Sequence, residues 1–355
     1  MTFALDRSCA LLADVGTPLM WATLLHLTIG NLIIGILEAV IVRFLFRIKG
    51  SSLFFWMIAA NYVSSITGSL LIAAGSDRLT YWIGGPLPVY HVYRILVVLA
   101  LLSFLATILI EWPFYRLAFR AGSGGWKRSL KATLVANAAS YVLLVAWYAL
   151  ASVQPIFWGI KLVSPQDLPR SANVRVFYIS PDGKDICQLR LDGSMPVRFM
   201  PLDEPAPTGV LGFSAKENNG QYRLEVQPNN GEIHFVADVG PCLATTRQTN
   251  PPDWHFSSFP DDLQNSTSPK WTVYAGGWAA QGISAVDNRT GDRHFIMALE
   301  APWLAWPTRC ATILPNDQII FQLGEQIMWV DFSGNTGAAL AAGHGPVVVL
   351  DKSEN

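Results

Sequence analysis

Two acids stand where the sequence least favours charge. Glu38 lies in "ILEAVIVRFLFR", residues 36–47, and Glu111 in "LIEWPFYRLAFR", residues 109–120, and each is the only acid of a long apolar run. The two phrases share their spacing: the acid, an arginine five residues on (Arg43, Arg116), then Phe-Arg at the eighth and ninth positions (Phe46-Arg47, Phe119-Arg120). Each is followed by Ala-Asn-x-x-Ser, as Ala60-Asn61 with Ser64 and as Ala136-Asn137 with Ser140. A carboxylate, an amide and a hydroxyl inside lipid do one of two things. They hydrogen-bond across helices and set their register, or they hold a proton or cation on its way through. At 100° per residue, Thr28, Asn31, Gly35, Glu38 and Ala39 share one face of their helix, and Asn61, Ser64, Ser65, Gly68 and Gly75 share a face of the next. The candidate cluster is therefore Glu38, Glu111, Asn61, Asn137, Asn31, Ser64 and Ser140. Three uses compete for it: interhelical packing, a two-fold proton or cation site, and a grip on a partner through the acids and arginines at the helix ends.

These residues need membrane helices to hold them. Four apolar stretches, about 20–42, 53–75, 89–112 and 130–152, reach the roughly 20 residues that cross a bilayer. With 51% hydrophobic and 14% charged residues, the chain is too apolar for one water-soluble domain of 355 residues. The net charge of −1 conceals a split, since residues 1–164 carry 12 Lys/Arg against 5 Asp/Glu and residues 165–355 carry 13 against 21. The loops after the first and third spans hold Arg43, Arg47, Lys49, Arg116, Arg120, Lys127, Arg128 and Lys131. The positive-inside rule then places both chain ends outside an inner membrane. The start "MTFALDRSCALLADVGTP" lacks the basic, apolar and small-residue regions of a signal peptide, so the first span is expected to direct insertion. The segment "SDRLTYWIGGPLPVY", residues 76–90, suits an interfacial loop with an aromatic belt. The matched phrases make the four spans two parallel copies of one hairpin, related by a pseudo-two-fold axis along the membrane normal.

Beyond a Pro-containing connector at 155–171 the pattern changes to short alternating strands. The organisation expected is thus a four-span domain at 1–154, the connector, and an extracytoplasmic all-β domain at 172–355. A repeat runs through the latter: Ile-x-x-Leu/Val toward a glycine, beginning at Ile186, Ile233, Ile283 and Ile327 and ending at Gly193, Gly240, Gly291 and Gly334. Each copy follows another strand-like run, "VRVFYIS", "YRLEVQ", "WTVYAGG" or "IIFQLG", so each unit reads as a hairpin. The stretch Pro241–Pro269 reads as a long loop. A period near 45 residues is that of propeller blades, and "YISPDGKDICQLRLDGS" resembles the strand-turn-strand phrase of TolB-like or YVTN-like bacterial propellers. The resemblance implies a small four-bladed propeller; evenly spaced hairpins in a β-sandwich are the alternative.

No motif names a reaction. Cys9, Cys187, Cys242 and Cys310 all fall on the outer side and allow three full disulfide pairings or a lone bridge, without zinc or redox spacing. The six histidines are scattered; His26, His91 and Arg94 read as interfacial anchors. "GGWAAQG" and "GHGPVVV" lack the lysine and strand-to-helix setting of a phosphate loop, so no cofactor is expected. Nor does the acidic balance suit nucleic acid. The reading is a multi-pass scaffold in the bilayer that displays a β domain for protein or ligand binding, either homo-oligomeric or one subunit of an assembly. Translocation of a proton, cation or small solute through the Glu/Asn cluster is the alternative, and an extracytoplasmic enzyme the third.

Overall fold

The computed structural model describes residues 18–48, 50–119, 125–151, 160–168, 171–191, 195–202, 212–218, 221–227, 234–240, 242–245, 266–267, 270–275, 282–298, 300–301, 304–306, 308–314, 317–331 and 334–351. The chain divides into two compact units, residues 1–153 with 300–305, and residues 154–299 with 306–355.

The first unit is helical because an apolar backbone segment satisfies its own N–H and C=O groups only as a helix. α1 (Pro18–Leu25) continues through a π-helical turn (His26–Gly30) into α2 (Asn31–Phe46). α3 (Ser52–Gly84) and α4 (Val92–Phe119) are joined by a short 3-10 turn at Pro88–His91, and α5 (Trp126–Ala151) completes the set. Four stretches are long and apolar enough to cross a membrane: Ala22–Phe46, Ser52–Leu71, Pro88–Phe119 and Trp126–Tyr148. Large apolar side chains such as Phe44, Leu70, Leu109 and Val142 project outward from all four, more apolar surface than a water-soluble bundle leaves uncovered. Each helix packs on its chain neighbours and α5 returns to α2, so the bundle closes as a ring.

Two expectations need correction here. The outer loop expected at 76–90 begins later, since α3 runs on through Tyr81 and Trp82 to Gly84. There a Cβ would fall within 2.8 Å of Pro88 and Ile95 side-chain atoms, so glycine lets α3 and the start of α4 close together. The small-residue face is also narrower than the wheel suggests. At Gly68 and Gly75 an added Cβ meets nothing, whereas at Gly35 it would lie 2.7 Å from Ile58 Cα. Gly35 on α2 is thus the point of backbone approach to α3.

The second unit is all-β and contains several sheets; one short antiparallel pair, β13 (Glu300–Ala301) with β14 (Leu304–Ala305), falls instead in the first unit. The four expected hairpins form as β2 (Ser171–Ile179) with β3 (Asp185–Leu191), β6 (Gln221–Gln227) with β7 (His234–Gly240), β10 (Trp271–Ala275) with β11 (Gly282–Asp287), and β16 (Gln318–Leu323) with β17 (Gln326–Asp331). Each is extended antiparallel by a further neighbour: β4 (Val197–Pro201) on β3, β5 (Gly212–Asn218) on β6, β12 (Arg293–Ala298) on β11, and β15 (Thr308–Leu314) with β18 (Thr336–Ala342) flanking the last. The final strand β19 (His344–Asp351) pairs with β2, placing Val348 opposite Val176.

Part of the expected connector belongs to this unit. β1 (Lys161–Leu162) pairs in parallel with β18, and Val163 and Leu168 pack on the core. Part of the expected 241–269 loop does too: β8 (Cys242–Thr245) pairs with β19, and β9 (Ser266–Thr267) with β10. Alternation explains the core. Val174, Val176 and Tyr178 of β2 meet Ile327 and Trp329 of β17 and Leu340 of β18 in one cluster. Phe177, Ile179, Met328 and Val330, on the opposite faces of the same strands, are fully buried as well.

Candidate functional site

The helical unit brings six of the seven candidate residues into one buried network, and the two copies complete each other. Glu38 and Glu111 sit eight residues before Phe46 and Phe119, which end α2 and α4. At 1.5 Å per residue both acids lie about 12 Å inside the same end of the bundle. Phe46 and Phe119 meet edge to face at 6.1 Å, a pair related by the duplication. Beside them Ala39, Val42, Leu53, Met57, Ala118, Ala132 and Ala136 form an apolar floor drawn from four helices.

Above that floor, Glu38 (0% exposed) accepts a hydrogen bond from each of the other three helices. Asn61 Nδ2 of α3 donates at 2.7 Å, Ser140 Oγ of α5 at 2.7 Å and Tyr115 OH of α4 at 3.1 Å. Glu111 (1% exposed) accepts from Asn137 Nδ2 of α5 at 2.9 Å and from Ser64 Oγ of α3 at 2.7 Å. Each acid therefore takes the asparagine of its own copy and the serine of the other. The asparagines are aimed by a second bond from the same amide to the carbonyl four residues back, Met57 for Asn61 and Thr133 for Asn137. Each serine hydroxyl, with one hydrogen to give, also lies within reach of carbonyls of its own helix, Ser64 of Asn61 O and Ser140 of Ala136 O and Asn137 O.

Asn31 lies outside this network. It is buried, accepts from Ser65 Oγ at 2.9 Å and donates to Leu27 O. Thr28 leaves the expected face because it lies inside the π-helical turn, whose wider spiral rotates less per residue than the 100° of an α-helix; it bonds Leu24 O and is exposed. The duplication diverges at this level. Where the first copy pairs Asn31 with Ser65, the second pairs the rings of Phe104 and Tyr141 at 4.9 Å.

Tyr115 is the functional residue that sequence reasoning missed. It sits one helical turn beyond Glu111, a position filled by Val42 in the first copy. The i, i+4 spacing of a hydroxyl after the acid was the available signal. One atom stands apart in the network: Asn137 Oδ1 is buried and, among the described residues, has no hydrogen-bond donor.

The anchors and cysteines resolve separately. His26 Nδ1 lies 2.7 Å from Tyr148 OH, tying the π-helical turn to α5, and His91 and Arg94 are exposed. Cys187 on β3 carries a free thiol packed against the shared core, and burial pushes that thiol above its ordinary range. No full pairing of the four cysteines is therefore made. Cys310 Sγ faces Gln322 Oε1 at 3.9 Å, while Cys9 and the side chain of Cys242 lie outside the described residues. Among the described residues no three His, Cys, Asp or Glu side chains converge as a metal set. No protein-family model matches this chain, and no curated protein does.

Proposed function

We propose that the chain is a multi-pass membrane scaffold, in which a duplicated helical anchor carries an extracytoplasmic β domain that binds a protein or ligand, most simply as a subunit of a membrane assembly. The observation that carries this reading is the closed, reciprocal bonding of the acids. Glu38 takes Ser140, and Glu111 takes Ser64, so the bonds run between the two copies rather than toward an opening. Polar groups used in this way fix which helices meet and in what register. The cost of an acid near mid-membrane, about 2.5–3.5 kcal/mol for Asp or Lys, is then offset by apolar residues in the same helix and by donors already in place.

The β domain is read as a four-bladed propeller. Its four hairpins each belong to a separate sheet, and the last strand joins the first long one, an arrangement that suits ring closure. A two-layer sandwich leaves one face of each sheet to water, whereas β2 and β17 are buried on both faces. Propeller faces present loops to peptides, glycans or other proteins, which is an analogy of fold.

A second reading has its own observation. Two acids share a buried site whose contacts are all neutral donors, and Asn137 Oδ1 adds an acceptor with no donor among the described residues. A bound proton or monovalent cation would answer both, making the cluster a translocation site. Purification of the full chain in mild detergent separates the two. Co-purifying subunits that are lost when the β domain is removed support the scaffold; a solitary chain that conducts protons or cations after reconstitution contradicts it.

A further inference from the structure

Arg43, Arg47, Arg116, Lys127, Arg128 and Lys131 stand at the end of the bundle nearest the acids, and among the described residues none of them forms an ion pair. No Asp or Glu occurs between Glu38 and Asp77 or between Glu111 and Asp167. The two acids that are near in sequence are committed to Asn, Ser and Tyr. Arg128 is accounted for, since it caps α2 through Phe46 O at 2.6 Å.

In the second copy the cations are organised on aromatic rings. The Trp112 and Trp126 rings meet edge to face at 6.5 Å. The Arg116 guanidinium lies 5.8 Å from the Trp112 ring centre and the Lys127 ammonium 6.0 Å from that of Trp126. Trp112 is itself fixed by a bond from Nε1 to Ser129 Oγ at 3.2 Å. Arg116, Trp126 and Lys127 are exposed. By the register of the duplication the first copy has Ala39, Gly50 and Ser51 where the second has Trp112, Trp126 and Lys127, so Arg43 has no such shelf. Lys127 and Arg128 also occupy the first turn of α5, where the helix dipole disfavours cations and favours an anion.

We propose that Arg116 and Lys127, set on the Trp112–Trp126 shelf, form a binding site for the phosphate headgroup of an anionic phospholipid. Tryptophan at the headgroup level and two cations that make no ion pair among the described residues match that ligand, with the acyl chains lying along the apolar outer faces of α4 and α5. The inference rests on the membrane reading above but not on which side of the membrane this end faces.

The test uses the full chain. Flotation with phosphatidylcholine vesicles establishes insertion, and titration of phosphatidylglycerol onto the detergent-solubilised chain, followed by native mass spectrometry, measures headgroup binding. Phosphatidylglycerol should be retained in preference to phosphatidylcholine. R116Q with K127Q should weaken it about 25-fold, taking each basic residue at its usual contribution. The charge-conserving R116K with K127R should restore most of the binding, and W126F should cost about 2- to 5-fold. R43Q serves as the matched control from the first copy and should change binding several-fold less than R116Q. Insertion without headgroup preference, or equal losses for R43Q and R116Q, would overturn the site while leaving the membrane reading intact. A chain that fails to float with vesicles would overturn both.

Discussion

Ser140 and Glu38 are 102 residues apart and 2.7 Å from bonding partner to bonding partner, and the bond joins the last helix of the second copy to the first copy's acid. Ser64 makes the reciprocal bond to Glu111 at the same distance. The symmetry gives the serines a specific expected role as the residues that hold one copy to the other. S64A and S140A should each destabilise the bundle by about 0.6–1.7 kcal/mol, the range for interhelical hydrogen bonds in lipid, read from unfolding in mixed detergent. S69A is the control, because Ser69 is exposed and its hydroxyl bonds Ser65 O of its own helix. Equal effects of S69A and S140A would show that the crossing bonds carry no special weight.

Gly35 should tolerate substitution far less than Gly68. A Cβ at Gly35 would press on the Ile58 backbone, which cannot swing aside, so G35A should force α2 and α3 apart and lower the unfolding midpoint. At Gly68 nothing lies within 4 Å, and G68A should leave stability unchanged or raise it through better helix propensity. Thermal unfolding of the two variants in one detergent distinguishes them, and a stable G35A would disprove the close approach.

The β domain should be sensitive to acid at particular turns. At the β2–β3 turn the Asp182 carboxyl is held below the usual carboxylate range, first by the bond from Ser180 Oγ and then by the Lys184 N–H. Asp287, at the β11–β12 turn, is likewise lowered by the N–H groups of Arg289 and Thr290. A carboxyl whose folded value lies below its unfolded one contributes stability above the unfolded value, and that contribution is lost as pH falls through the folded value. Unfolding midpoints should therefore hold down to about pH 4, the ordinary aspartate value, and fall below it. D182N and D287N should each flatten part of that acid limb; an unaltered limb in the double variant would show that these turns do not set it.

Much of this site was legible before any coordinates. The doubled spacing of Glu, Arg and Phe-Arg, followed by Ala-Asn-x-x-Ser, named six residues that the fold joins, because helical periodicity converts spacing directly into a shared face. The partners were less legible. Nothing in the sequence says that Glu38 takes its serine from the other copy, since this depends on α5 returning to α2. Tyr115 was obscured because its counterpart is Val42, so a search for matched positions passes over it. Thr28 was misplaced by a π-helical turn that carries no sequence mark. Among the strands, hairpins were readable from alternation and turn residues, but the pairing of β19 with β2 and of β8 with β19 joins distant segments that no local pattern records.

The proposed orientation, with the β domain outside, rests on the basic residues of the two loops expected inside. In a chain whose native cysteines are replaced by serine, G125C should react only with a reagent on the cytoplasmic side and R289C only with one outside, both positions being exposed. Labelling of both from one side would contradict the assignment of the β domain to the outer compartment.

The central claim is that the paired acids lock the anchor together rather than carry ions, and Glu→Gln tests it by keeping shape while removing charge: the new amide N–H donates to the Ser140 or Ser64 hydroxyl, which turns its own hydrogen to the carbonyl it already reaches. The measurement is proton and cation flux into vesicles containing the wild-type chain or E38Q with E111Q, alongside the unfolding midpoint of each. The account predicts that wild-type vesicles leak no faster than empty ones and that the double variant keeps its midpoint and its copurifying partners. Flux in the wild type that disappears in E38Q with E111Q, with the fold unchanged, would contradict it and make the duplicated acids a transport site.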